Sequence, residues 1–221
     1  MYSFAQRDNC AVFDEPLYGI YLQDSGIHHP GKEIVLKKWP TSIDAVKKRV
    51  ASLCSSGEIY LKNMAHHQEN KSLDWVKPTA YIFWIRHPRK VIHSFTKVID
   101  AVSAKDVGLI QQWEQWQQLE SFEGPKIIVD SDEMLENPRD NLSQICEALN
   151  LDWTERMLNW TAGKKKYDGP WWPYWYKNVH RSEGFGSPKP MPSELRYAHE
   201  NVVQYTLTVY EKLAKHRIKF K

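Results

Sequence analysis

The sequence predicts an α/β fold with a mainly parallel sheet. Two observations predict it. Short apolar runs alternate with longer amphipathic stretches along the chain, the pattern of strands that hand over to helices. One run, Tyr81-Ile82-Phe83-Trp84-Ile85, is apolar at every position, as a strand covered on both faces requires. No internal repeat or low-complexity tract interrupts the 221 residues, so residues 1–221 are read as a single domain.

Four runs read as strands. Val12-Phe13-Asp14 leads into Glu15-Pro16-Leu17-Tyr18. Glu58-Ile59-Tyr60-Leu61 ends at Lys62. The run at Tyr81–Ile85 is the clearest, and Lys126-Ile127-Ile128-Val129-Asp130 is the last. Each passes to polar residues at its C-terminal end. In an open parallel sheet, ligands bind along that edge.

Helices follow from caps and one-face spacing. Pro88 suits a first helical position, with Val91, Ile92, Phe95, Val98 and Ile99 as its apolar stripe. Leu109, Trp113 and Trp116 mark a second helix. Asn137-Pro138 starts a third, with Leu142, Ile145, Cys146 and Leu149 inward. Ser193 is read as the cap of a long last helix that buries Leu195, Ala198, Val202, Tyr205, Val209 and Leu213. Met1–Arg7 has the composition of the tail of a helix that began earlier.

A net charge of +3 permits a phosphorylated ligand but lacks the dense basic face of a nucleic-acid binder. No apolar run is long enough to span a bilayer, and no basic-then-apolar segment opens the chain. Cys10, Cys54 and Cys146 are odd in number and widely spaced. They are read as reduced core thiols of a cytoplasmic protein. Without a signal segment, the sequons at Asn70, Asn141 and Asn159 carry no meaning. His28-His29 and His66-His67 lack metal-ligand spacing, so no metal is expected. Oligomeric state is not readable.

The local feature with most chemistry is Arg86-His87-Pro88-Arg89, at the join of the best strand and its helix. A helix N-terminus offers free amides and partial positive charge to an anion. Arg86 adds a forked cation, and Ser94 lies two turns along. The stretch from Tyr81 to Ser94 resembles the element of P-loop-type sulfotransferases that binds the 3′ phosphate of the donor PAPS (3′-phosphoadenosine 5′-phosphosulfate). There a Ser follows the Arg by eight residues, as Ser94 follows Arg86.

Two further stretches carry the resemblance. Lys164-Lys165-Lys166-Tyr167-Asp168-Gly169-Pro170-Trp171 is similar to the family's Arg-Lys-Gly-x-x-Gly-Asp-Trp loop, with Lys164 for Arg, Lys166 for the first Gly and Pro170 for Asp. Val129 to Leu149 is similar to the family's strand, acidic turn and Pro-started helix. The resemblance implies a three-layer α/β/α domain of P-loop nucleotide-hydrolase-like architecture. It implies transfer of a sulfuryl group from PAPS to a hydroxyl or amine of a small molecule or glycan. Arg86, Ser94, Lys164, Lys165 and Gly169 are the implied donor-binding residues. Lys62 is the implied stabiliser of the leaving group. Glu15, just after the first strand of this chain, or His66 or His67, after Lys62, is the implied base.

In the family a first strand and a phosphate-binding loop precede the first helix. Met1 falls inside that helix, so the expectation is a domain truncated at its N-terminus and weak or inactive alone. Two alternatives stand beside this reading: a non-catalytic nucleotide-binding domain, and a P-loop kinase for small molecules. The cluster Trp171-Trp172-Pro173-Tyr174-Trp175-Tyr176 either lines an acceptor pocket or anchors a packed loop.

Overall fold

A computed structural model describes residues 1–54, 57–69 and 71–221. In chain order its elements are β1 (Cys10–Asp14), α1 (Tyr18–Ser25), α2 (Lys32–Lys38), α3 (Ile43–Cys54), β2 (Glu58–Lys62), β3 (Tyr81–Ile85), α4 (Pro88–Phe95), α5 (Ala104–Val107), α6 (Leu109–Gln118), β4 (Lys126–Asp130), α7 (Ser131–Met134), α8 (Pro138–Ala148), α9 (Trp172–Trp175) and α10 (Tyr197–Lys215). All four expected strands are present, and the fold is mixed α/β with parallel strands. The chain forms two compact units. One holds Met1–Lys77 and Thr154–Phe185; the other holds Pro78–Trp153 and Gly186–Lys221.

In the first unit β1 pairs in parallel with β2, from Cys10 beside Glu58 to Asp14 beside Lys62. The register therefore sets an acid and a base side by side at the C-terminal strand ends. Phe13, Leu17, Ile20, Val46 and Val50 form the core against which Trp39, Ile59 and Leu61 pack. Burying each such side chain contributes about 1.5–3 kcal/mol. Helix α1 buries Tyr18, Gly19, Ile20, Tyr21 and Leu22 in succession. Its second position must be glycine, because a Cβ on Gly19 would stand 2.3 Å from the Pro40 carbonyl oxygen.

In the second unit β3 pairs in parallel with β4, from Tyr81 beside Lys126 to Ile85 beside Asp130. Arg86 follows one strand and Ser131 the other, and the Ser131 hydroxyl donates to the Ile85 carbonyl at 2.9 Å. The Ile218 amide donates to the Ile128 carbonyl at 2.9 Å, which fastens the end of the chain to β4. Helix α8 buries Leu142, Ile145 and Cys146 as expected.

Several expectations are corrected. The β3 run is buried only at Phe83 and Ile85, so it is not covered on both faces along its length. Helix α4 stops at Phe95, leaving Val98 42% exposed beyond it. The Thr96 hydroxyl turns back to the His93 carbonyl at 3.0 Å there. In α6, Gln111 and Gln115 are buried with Leu109, and the tryptophans are half-buried. Helix α10 is capped at Arg196 rather than Ser193. Its buried face carries His199, Val203, Thr206 and Leu213, while Ala198 and Tyr205 are exposed. The face is rotated by about one residue, because two polar side chains take core positions. Phe4–Gln6 is a short 3-10 turn. Only Cys146 of the three free cysteines is buried; Cys54 is exposed. Asn141 is buried with its amide nitrogen 2.9 Å from the Glu133 carbonyl, and Asn70 lies outside the described residues.

Candidate active site

The first unit concentrates ionisable groups at the ends of β1 and β2. Glu15, the first residue after β1, has φ +38°, a left-handed conformation that is uncommon outside glycine and concentrated at functional sites. Three contacts hold it there. Its amide donates to the Lys62 carbonyl at 2.7 Å. Its own carbonyl accepts from the Trp39 indole at 3.0 Å. Its carboxylate accepts directly from the Lys62 ammonium.

A second carboxylate lies beside the pair. Asp14 is fully buried, with an oxygen 3.6 Å from Lys62 Nζ. The Tyr176 hydroxyl is 2.8 Å from each Asp14 oxygen, and the Gly169 amide donates to Asp14 Oδ2 at 3.0 Å. His67 Nδ1 stands 3.8 Å from Glu15 Oε2. Two carboxylates thus share one ammonium in a buried setting. Burial, and then Asp14, push the Glu15 carboxyl up to about 7, although Lys62 pulls the other way. Burial alone would lower the Lys62 ammonium, but Glu15, Tyr176 and Asp14 together hold it well above its ordinary range. Burial, then His66 and Lys62, push the His67 imidazole well below its ordinary value. His66 and His67 form a buried 3-10 turn, with His67 stacked on Tyr18 at 4.7 Å.

The loop from Lys164 to Trp171 is anchored by acids rather than left in solvent. Asp168 accepts from the Tyr2 hydroxyl at 2.7 Å, the Lys165 amide at 2.7 Å and His180 Nε2 at 2.9 Å. The Lys165 ammonium turns onto Thr161 and Ala162 of its own loop. Lys164 is exposed, its ammonium 5.3 Å from the centre of the Trp172 ring. Gly169 allows the close approach of Trp171, whose ring would lie 2.2 Å from a Cβ placed there.

The second unit holds the other expected residues. Arg86 Nη2 is 3.3 Å from Asp132 Oδ1, and Lys90 Nζ is 3.1 Å from Asp132 Oδ2. Arg86 Nε is buried with no hydrogen-bond partner among the described residues. His87 caps α4, its Nδ1 accepting from the Arg89 amide at 3.3 Å. Ser94 is exposed in the last turn of that helix. Among the described residues no group of His, Cys, Asp or Glu is arranged to hold a metal ion. No helix among them is long and apolar enough to cross a membrane.

A model of the sulfotransferase domain family matches residues 1–217. This chain belongs to the sulfotransferase-domain family. Two Arabidopsis thaliana proteins, branched-chain-amino-acid aminotransferase-like proteins 1 and 2, are 32% and 30% identical to it over 220 residues. Those matches cover 98% of this sulfotransferase domain and 39% of each relative, so the chain spans well under half the length of those relatives. The sulfotransferase domain of the Synechococcus PCC 7002 olefin synthase aligns at 15% identity with a TM-score of 0.46, over 91% of this chain and 95% of that one. The sulfotransferase domain from the curacin biosynthetic pathway aligns at 15% identity with a TM-score of 0.42, over 87% and 77%.

Within this sulfotransferase domain, Glu15 and Lys62 are in direct contact and His67 lies beside them, while His66 packs edge-on to Tyr21 at 5.2 Å. Asp14, Asp168 and Asp132 have no role assigned from the sequence, and Tyr176 enters it only as a member of the aromatic cluster. Asp14 had a legible signal, since a carboxylate closing an apolar strand is costly to bury unless it is paired. Tyr176 had none, because its partner is 162 residues away. The aromatic segment anchors a packed loop at Trp171, which is 1% exposed.

Proposed function

We propose that this chain binds PAPS and transfers its sulfuryl group to a hydroxyl or amine of a small molecule or glycan. The observation that carries the reading is the ion pair between buried Glu15 and half-buried Lys62 at the C-terminal end of two parallel strands. Bound PAPS supplies the activated sulfuryl group. The acceptor oxygen or nitrogen forms the new bond to sulfur as the bond from sulfur to the phosphate oxygen breaks, and the acceptor's proton needs a base. Glu15 fits that role better than His67. A carboxyl raised to about 7 accepts a proton near neutral pH, whereas an imidazole held well below its usual range is a weak base. Lys62 stays charged and supplies positive charge to the leaving phosphate.

The donor set at the β3–α4 join suits an anion. The orphaned Nε of Arg86 and the Lys90 ammonium are both hydrogen-bond donors. Within the second unit we assign the donor's 3′ phosphate to Arg86 and Ser94. Calorimetric titration with 3′-phosphoadenosine 5′-phosphate tests the assignment. Saturable binding that Arg86→Ala weakens tenfold or more, about 1.4 kcal/mol, supports it. A folded chain that binds no nucleotide would sink it. Binding without transfer from PAPS across a panel of hydroxyl and amine acceptors would favour a non-catalytic nucleotide-binding domain.

A further inference from the structure

We propose that Asp14 and Tyr176 act as a positioning pair that holds the Lys62 ammonium against Glu15 and turns its free face outward. The inference rests on the assignment of Glu15 and Lys62 to the reaction. Its geometry is separate from that assignment.

The hydrogen-bond inventory fixes the directions. A phenol hydroxyl has one proton to donate and two lone pairs to accept with. Three partners surround the Tyr176 oxygen: Asp14 at 2.8 Å, Lys62 Nζ at 3.2 Å and Trp171 Nε1 at 3.3 Å. An ammonium and an indole N–H only donate. The hydroxyl therefore accepts from Lys62 and Trp171, and its single proton goes to Asp14. With Gly169 N–H also on Asp14, the acid is held from two sides. Lys62 is then fixed by Glu15 and Tyr176, with Asp14 as a further attraction at 3.6 Å. Its side chain keeps 25% exposure, which leaves an ammonium proton for a ligand oxygen. A lysine side chain has four rotatable bonds and a strongly hydrated head. Fixing it in advance removes reorganisation from the reaction step.

Opposite effects on Glu15 separate this role from mere packing. Among the described residues, the charged or titratable groups that act on Glu15 are Lys62, Asp14, His67, Tyr18 and Tyr176. The backbone nitrogen of Met1 also faces Lys62 and Asp14. Tyr176→Phe removes the donor from Asp14 and an acceptor from Lys62. The ammonium then shifts toward Asp14, and Glu15 loses part of its counter-charge. Asp14→Asn removes a negative neighbour and leaves Lys62 wholly to Glu15.

The experiment is a pH titration of protein carrying 13C-labelled glutamate carboxyls, followed by NMR, with Glu15→Gln identifying the Glu15 signal. The wild-type midpoint is expected near 7. Tyr176→Phe should raise it by about 0.5–1 unit, and Asp14→Asn should lower it by at least as much. Tyr174→Phe, in the same segment but exposed, should leave it unchanged. In a transfer assay Tyr176→Phe should lower kcat several-fold with little change in KM. Unchanged midpoints, or shifts of the same sign in both variants, would overturn the pairing. If Tyr176→Phe does not fold, an unchanged or raised midpoint in Asp14→Asn alone would overturn it. The titration needs neither donor nor acceptor. Shifts of the expected signs without any sulfuryl transfer would therefore strike the functional reading and leave the pairing intact.

Discussion

His67 Nδ1 lies 3.8 Å from Glu15 Oε2, and both side chains are buried. Two candidate bases thus occupy one place, and their environments drive them apart. Burial lifts the carboxyl to about 7 and holds the imidazole well below its usual range. Glu15→Gln should lower kcat by about 10²–10⁴, and His67→Gln by less than tenfold. The rate should rise with pH to a plateau above about 7, as Glu15 loses its proton. Steady-state kinetics of both variants check this. The reverse order of effects would give the role to His67.

The same titration has a consequence for stability. The folded-state value for Glu15 lies above the ordinary 4.5, so the native state binds the proton more tightly than the unfolded chain. Its stabilising contribution is present in full below about pH 4.5 and is lost as pH rises through about 7. Relative to Glu15→Gln, the wild type should lose stability across that window, by at most about 1.4 kcal/mol per pH unit. Urea denaturation at several pH values measures the difference. A flat difference would contradict the raised carboxyl.

Asp132 sits on both cations of the β3–α4 join, 3.3 Å from Arg86 and 3.1 Å from Lys90. An incoming phosphate must compete with it. Partly exposed ion pairs of this kind are worth about 0.2–1 kcal/mol, so Asp132→Asn should tighten nucleotide binding about 1.4- to fivefold. Calorimetry on the variant decides the point, and weaker binding would show that Asp132 orients Arg86 rather than opposing the ligand.

Gly169→Ala would set a methyl against the Trp171 ring, which is 1% exposed and has no room to retreat. Overpacking of this kind costs about 1–3 kcal/mol. The chemical-denaturation midpoint should fall accordingly. An unchanged midpoint would mean that the loop repacks freely.

Asp168 gathers Tyr2, the Lys165 amide and His180. Asp168→Ala leaves three donors short of a partner and should cost about 2–4 kcal/mol. Asp168→Asn keeps a carbonyl acceptor and should cost less. Equal losses for the two variants would mean that charge, not hydrogen bonding, holds the loop.

Much of this was legible in the sequence wherever the signal is local. The four strands are short apolar runs ended by polar residues, and each was found within a few positions. Helix α1 is not legible in the sequence because Tyr18 through Leu22 are all buried, which leaves no polar face to set a period. The buried face of α10 lies one residue from the apolar stripe of its sequence because His199 and Thr206 are buried. Thr206 manages this by returning its hydroxyl to the Val202 carbonyl at 2.7 Å, which composition does not announce.

The sequence by itself determined the α/β class, the strands, the family resemblance and the charged residues at the strand ends. These depend on apolar runs and on the spacing of Arg86, Ser94 and the Lys164–Trp171 loop, all of which lie along the chain. Tertiary structure alone decided which charges meet. The parallel register brings Lys62 beside Asp14, and a return of the chain more than a hundred residues later brings the Tyr176 hydroxyl onto both. Pairing of buried charges depends on distances of a few ångströms and on shared desolvation. Neither is encoded in the separation of residues along a sequence.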